Sequence, residues 1–259
     1  MSEVLRRAVD VLDVLRVAGD GLSIREVSAE VGVPKSTVQR LLRELVSTEL
    51  VARDAGTGRY RLGPRTLALG MAYQRRLDVR TTALPHMVAL RDEVDETVGL
   101  SVLIGEELLH VEQAESRSAL RATFELGEPL PLWSGAPSRI LMTDLSPDDV
   151  RRIAGRRQRQ RVTPANPLEP STIVDAVRLA REEGHAMAFE ETLSGVNTVS
   201  VPIEGPAGVA AALSVTGPAT RFDRTAMTEA LSGMGRTAAS IGAELGRVGP
   251  PARHDHGAG

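Results

Sequence analysis

Apolar residues recur at helical spacing from the start of the chain. Leu5, Ala8, Val9, Leu12 and Leu15 mark one face of an amphipathic helix over residues 3–18, which Gly19-Asp20-Gly21 stops. Ser23-Ile24-Arg25-Glu26 sets a hydroxyl at an N-cap with Glu three residues on, a capping box that opens a short helix burying Ile24, Val27 and Val31 and ending at Gly32. Val33-Pro34 makes the turn, and Pro34 suits the start of a further helix. From there Val38, Leu41, Leu42 and Leu45 fall at i, i+3, i+4 and i+7 as one stripe. The opposite face carries Ser36, Arg40 and Arg43, with Gln39 on the flank. Leu50–Arg53 and Arg59–Leu62 flank the turn-rich stretch Asp54–Gly58, which predicts a β-hairpin.

Pro64 opens another helix, Arg65–Leu77, with Leu67, Gly70, Met71, Gln74 and Leu77 on one side, and it reads as a connector. The next helix, about Thr81–Val94, begins a region that mixes strands and helices. Strands are expected at Val98–Ile104 and Leu108–Ala114, straddling Gly105-Glu106-Glu107 as a hairpin, and at Arg117–Phe124. Ser134–Met142, Pro147–Ala154 and Ser171–Glu183 read as helices, with a loop over 155–170. His185–Glu190, Thr198–Ile203 and Val209–Thr216 read as strands. Asp223 caps a last long helix whose stripe is Met227, Ala230, Leu231, Met234, Ala238, Ile241 and Leu245. The Pro/Gly-rich tail from Gly249 is expected to be disordered.

Composition narrows the function. No cysteine is present, which excludes disulfides, thiolate nucleophiles and cysteine-ligated metal. No signal peptide and no apolar run of about 20 residues is seen, so a cytoplasmic protein with no membrane partner is expected. His86, His110, His185, His254 and His256 are scattered without metal-ligand spacing, and Glu190 and Glu191, adjacent on a strand, point opposite ways. No Ser/His/Asp order and no phosphate-binding glycine loop stands out. Catalytic residues, a bound metal and a cofactor are therefore not expected, and the chain does not read as an enzyme.

The net charge of −3 argues against nucleic acid until its distribution is considered. Between residues 33 and 65 there are 7 basic side chains against Glu44, Glu49 and Asp54. Three short helices followed by a basic hairpin is the order of a winged helix-turn-helix, whose third helix needs an apolar face for its own domain and a polar face for the major groove. Gln39, Arg40 and Arg43 supply donors for base edges. Lys35, Ser36 and Thr37 at the helix start suit a phosphate, and Arg59 and Arg61 share one face of the wing strand. The competing reading of these residues is a small three-helix packing unit with solvated charges.

The strand Val209–Thr216 alternates, with Val209, Ala211, Leu213 and Val215 on one face and Ala210, Ala212, Ser214 and Thr216 on the other. Thr198 and Ser200 oppose Val199, Val201 and Ile203 in the same way. Small hydroxyl residues on neighbouring strands suit either a solvated sheet face or a pocket for a small polar ligand.

Several of these segments together resemble the IclR family of bacterial regulators: Val31-Gly32-Val33-Pro34-Lys35-Ser36-Thr37-Val38-Gln39-Arg40-Leu41-Leu42, Gly58-Arg59-Tyr60-Arg61-Leu62-Gly63, Pro131-Leu132-Trp133-Ser134-Gly135-Ala136, Gly184-His185-Ala186 and Ala211-Ala212-Leu213-Ser214-Val215-Thr216-Gly217-Pro218. The resemblance runs to about Leu245. It implies an α+β protein: a winged helix-turn-helix over 1–63, a linker helix over 64–80, and an effector-binding domain over 81–248 with a PAS/GAF-like curved antiparallel sheet, ahead of the tail 249–259. It implies double-stranded operator DNA and a small-molecule, carboxylate-bearing effector, an organic or aromatic acid, as partners, and a homodimer or homotetramer acting as repressor or activator. Positions matching the family's ligand contacts are Gly135 and Ala136 at a helix start, Thr198 on one strand, and Ser214 and Thr216 on the next. The sequence departs from the family's small-oxoacid sensors, which carry Asp where this chain has Ala188 and Cys where it has Thr198. Arg139 stands in place of the usual Lys, and Trp133 lies beside the site. The alternative is a small-molecule enzyme or ligand-binding module whose winged helix mediates protein contacts.

Overall fold

The helices of the N-terminal region form where their apolar stripes can meet. In the computed structural model, which describes residues 3–74, 78–155, 163–165 and 169–248, these are α1 (Glu3–Val17), α2 (Ile24–Val31) and α3 (Lys35–Ser47). They enclose one core of Val11, Leu15, Val27, Val38, Leu42 and their neighbours. The capping box of α2 is complete: Glu26 N–H donates to Ser23 Oγ at 3.3 Å, and Ser23 N–H donates to Glu26 Oε2 at 2.7 Å. Ser28 Oγ donates to Val33 O at 2.6 Å and pins the turn into α3. Strands β1 (Val51–Arg53) and β2 (Tyr60–Leu62) pair antiparallel as the wing, and Tyr60, also bridged to Leu22, joins the same core. Helix α4 (Pro64–Gln74) follows.

The chain divides into two compact units, Met1–Leu77 and Asp78–Gly259. The second holds a six-stranded antiparallel sheet in the order β5-β4-β3-β8-β7-β6, formed by β3 (Thr97–Ile104), β4 (Glu107–Ala114), β5 (Pro129–Pro131), β6 (Ala186–Phe189), β7 (Val196–Gly205) and β8 (Gly208–Pro218). Helices α5 (Asp78–Val94) and α9 (Arg224–Val248) pack on each other and on one face of the sheet. The stripe of α9 is inward, with Met227, Met234 and Ile241 fully buried, and Ala226 N–H donates to Asp223 Oδ1 at its start (3.0 Å). The other face meets α6 (Ala136–Leu141), backed by α7 (Pro147–Ala154) and α8 (Pro170–Glu183), around a core that includes Leu108, Leu132, Ile140, Ile153, Ile173 and Ala212. The architecture is therefore α+β, a winged helix-turn-helix unit followed by a two-faced antiparallel sheet. No described helix is long and apolar enough to cross a membrane.

One expected strand is absent. Residues 117–124 do not join the sheet; the strand after β4 is instead the short edge strand β5, pairing Leu108 with Leu130. Side chains rather than a ladder hold the crossing segment. Thr97 Oγ1 donates to Ala122 O at 2.6 Å, and Phe124 N–H donates to Gln113 Oε1 at 2.8 Å. The Phe124 ring lies on Gly99, where a Cβ would collide with it, so the missing side chain of β3 is what lets the segment lie down on the sheet. The helix expected over Ser134–Met142 is shorter, α6, because Gly135 at its N-cap holds φ +83°, a conformation that favours glycine. Residues 75–77 of the connector, 156–162 and 166–168 of the expected loop, and the tail from 249 lie outside the described residues.

Leu42 is fully buried at the centre of the first unit. Leu42→Ala is expected to destabilise that unit by about 2–5 kcal/mol. Hydrogen-exchange mass spectrometry of the full chain should show lost protection in α1–α3 with β3 and β4 unchanged.

Candidate functional site

In the first unit, α3 buries Val38, Leu41, Leu42 and Leu45 and leaves Lys35, Ser36, Gln39, Arg40 and Arg43 exposed, with Thr37 half-buried. Sequence spacing and structure agree here because a helix with one buried stripe has its other face determined. The wing turn is ordered by Asp54, whose Oδ1 accepts from Gly56 N, Thr57 N and Thr57 Oγ1 at 2.7–3.0 Å. The hydrogen bond from the Thr57 backbone holds the Asp54 carboxyl below its ordinary range. Arg61 is exposed on β2. Arg59 precedes the strand and does not share that free face: its Nε donates to Gly21 O at 2.9 Å, and its Nη2 pairs with Glu26 at 3.1 Å. Its guanidinium thus ties the wing to the start of α2. Arg53, which composition counted only as local charge, is exposed and lies 5.8 Å from the Tyr60 ring centroid.

In the second unit the hydroxyl residues face inward. Thr198, Ser200, Ser214 and Thr216 are buried and form two cross-strand pairs, Thr198 Oγ1 to Thr216 Oγ1 at 3.0 Å and Ser200 Oγ to Ser214 Oγ at 2.7 Å. The face is therefore not solvated. A cavity of about 110 Å³ lies between it and α6. Leu108, Phe124, Leu130, Pro131 and Pro137 form its apolar wall, and His110, Ser138, Thr192 and Thr198 bring polar atoms, with Gly135 at the edge. Of the ligand positions expected from sequence, Gly135 and Thr198 line this cavity. Ser214 and Thr216 stand behind Thr198 in the paired hydroxyls, and Ala136 is core. Trp133 packs on the core beneath α6 and does not line the cavity.

The backbone amide of Gly135, one of the positions matching the family's ligand contacts, already has a carboxylate partner. Gly135 N–H donates to Glu191 Oε2 at 3.3 Å, and Arg139 Nη2 binds both Glu191 oxygens at 2.6 and 2.7 Å. Both side chains are about nine-tenths buried, and Arg139 Nη1 also donates to Met187 O at 2.7 Å. The charge of Arg139 is thus matched within the protein.

The sequence reading placed His110 only among scattered histidines and gave it no role in the site. Its Nδ1 lies 2.8 Å from Ser101 Oγ, and its ring stands 4.4 Å from that of Phe124. A usable signal existed: counting outward from the Gly105–Glu106 turn pairs Ser101 with His110. Phe124 was hidden by the strand assigned to 117–124. Among the described residues no group of His, Cys, Asp and Glu converges to hold a metal ion.

Comparison with known proteins gives two family matches, to an IclR helix-turn-helix domain over residues 4–55 and to the bacterial transcriptional regulator IclR C-terminal domain over residues 71–243. The HTH-type transcriptional regulator BhcR of Paracoccus denitrificans is 31% identical over 219 residues, covering 84% of this chain and 78% of that one. An IclR transcriptional regulator of a Silicibacter species has a similar fold, with TM-score 0.85 at 24% identity over 96% of this chain and 98% of that one. So does an IclR homologue of Microbacterium hydrocarbonoxydans in complex with 4-hydroxybenzoate, with TM-score 0.77 at 24% identity over 95% and 100%.

Burial pushes the His110 imidazole down to about 4 from an ordinary 6.5. Between those values the unfolded chain binds the proton and the folded chain does not, so stability from this group is complete above pH 6.5 and is lost as pH falls toward 4. Up to about 3 kcal/mol is at stake. Urea denaturation between pH 4.5 and 7.5 should show this loss in the wild type and a flatter profile in His110→Gln.

Proposed function

From the premise that the chain belongs to the IclR family of bacterial transcriptional regulators, we propose how its two units divide the work. The first binds double-stranded operator DNA through α3 and the wing, and the second binds a small-molecule effector in the cavity beside Thr198. The observation that carries this reading is the exposed polar face of α3, with Lys35, Ser36, Gln39, Arg40 and Arg43 on it, on a helix whose other face is committed to the core. Gln39, Arg40 and Arg43 read base edges. Lys35, Ser36 and Thr37 meet phosphate, and Arg61 follows the backbone from the wing. Arg59 acts by holding the wing in place.

A second copy of the chain completes the DNA-binding form. Unit one leaves Val4, Leu5 and Val9 of α1 and Leu67, Leu69 and Met71 of α4 exposed. Helix α4 has no buried side chain among those described, and a short helix without a packed face is marginal alone. Covering these residues with a homodimer sets two recognition helices about 34 Å, one helical turn, or a multiple apart on a palindromic site. Effector binding then changes operator affinity to the extent that it prefers one arrangement of the pair.

Arg40→Ala and Arg43→Ala are each expected to weaken operator binding by about 1–3 kcal/mol. Fluorescence anisotropy with the chain's own upstream DNA and a scrambled control, at two salt concentrations, measures this. Full affinity in both variants removes α3 as the reading helix. Turnover of a small molecule without salt-dependent DNA affinity favours the enzyme alternative.

Leu67→Glu places a charge in the proposed dimer surface. Sedimentation should show a monomer, with weaker operator binding; an unchanged assembly would exclude α4 from the interface.

A further inference from the structure

The chain reverses at Gly184 between α8 and β6, and these two elements line a groove of about 190 Å³. It shares no lining residue with the cavity beside Thr198. Leu179 and Ala180 of α8 and Met187 and Phe189 of β6 are its apolar wall, and its charged or titratable residues are Arg139, Glu183, His185 and Arg224.

Three of those four have partners. Arg139 is bound by both oxygens of Glu191. Glu183 and His185 contact each other, Nε2 to carboxylate at 3.6 Å and Nδ1 to Glu183 O at 3.2 Å. Arg224 differs. Its sequence neighbour Asp223 caps α9 through Ala226 N–H, and among the described residues no carboxylate lies within 4 Å of its guanidinium. The group stands instead 4.6 Å from the Phe189 ring centroid and 3.9 Å from Met187 Sδ.

A guanidinium stacked on a ring is held by its face and keeps its edge N–H groups free, the geometry that grips a carboxylate with two hydrogen bonds. The acid of the groove does not oppose this. Glu183 sits at the turn with His185, while Arg224 stands over Phe189, and four residues of extended strand separate those ends by about 13 Å. An exposed ion pair holds a ligand only weakly. The apolar wall beside Arg224 adds what the charge lacks, by covering the ligand's apolar body. A volume of about 190 Å³ exceeds the roughly 150 Å³ of a cavity that accepts benzene, which leaves room for a ring with its carboxylate.

We infer that the groove between α8 and β6 is a second small-molecule site, taking a ring-sized apolar monocarboxylate with its charge on Arg224 and its ring against Leu179 and Met187. The inference does not depend on the cavity beside Thr198 being the effector site.

The test titrates the full chain by calorimetry at pH 7.5 with benzoate and with benzamide, its uncharged counterpart. The titrations are made in the wild type and in Thr192→Trp, which fills the mouth of the other cavity from an exposed position and so removes any binding there. In both, benzoate is expected to bind with a Kd of about 1 mM or lower, and benzamide tenfold or more weakly. Arg224→Gln, and Leu179→Glu, which sets a like charge at the groove, change exposed side chains. Each should keep the parent melting temperature and lose tenfold or more in benzoate affinity. Benzoate that fails to bind, binds no better than benzamide, or is unaffected by Arg224→Gln overturns the inference. So does binding that Thr192→Trp alone abolishes, which assigns the probe to the other cavity.

Discussion

Both faces of the six-stranded sheet are covered by helices, and from this constraint most of the second unit follows. A hydroxyl on a doubly covered sheet must find its partner inside the protein. The chain meets this with register: Thr198 stands opposite Thr216 and Ser200 opposite Ser214, and each pair is hydrogen-bonded. The face toward α5 and α9 carries the buried Val199, Val201, Leu213 and Val215. The face toward α6 carries Gly99, Ser101, Ala212 and the hydroxyl pairs, side chains too small to fill the gap. The cavity is the volume that this choice leaves open, narrowed by the Phe124 ring resting on Gly99.

Arginine, which with one lysine makes up all the strong cationic charge of the chain, is used in two distinct ways. Arg59, Arg80, Arg139 and Arg221 are clamps, each matched to a carboxylate. Arg221 grips the buried Glu96 at 2.5 and 2.9 Å, and its own pKa is raised chiefly by that hydrogen bond. Arg40, Arg43 and Arg61 stand exposed on α3 and the wing. Residue type and local charge count do not separate these classes. What separates them is whether the fold brings an acid within reach, as it does for Arg59 with the capping-box residue Glu26.

Periodicity carried the first unit almost whole. The stripe Val38–Leu41–Leu42–Leu45 both identified α3 and dictated its exposed face, since 3.6-residue geometry leaves one solution once the buried side is chosen. The capping box and the Pro34 turn marked ends that the structure keeps. In the second unit the alternation of β7 and β8 was equally readable, and so was the long stripe of α9. Residues 117–124 misled because an apolar–polar stretch bounded by turn residues looks the same whether it pairs in a sheet or crosses one; its hydrogen bonds go to Thr97 and Gln113, side chains distant in the chain.

By itself the sequence determined what local geometry determines: helix faces, strand faces, caps and turns, and through them an α+β chain with a winged helix-turn-helix unit. Only the tertiary structure decided which polar groups remain available to a ligand. Gly135 and Arg139 lie beside the site in sequence as in space, yet Glu191, more than 50 residues on, occupies both, while His110 gains its place through a cross-strand partner and an aromatic neighbour. Availability depends on pairings between segments far apart in the chain, and such pairings are set when the elements pack, because burial makes every charge and hydrogen-bonding group find a partner there.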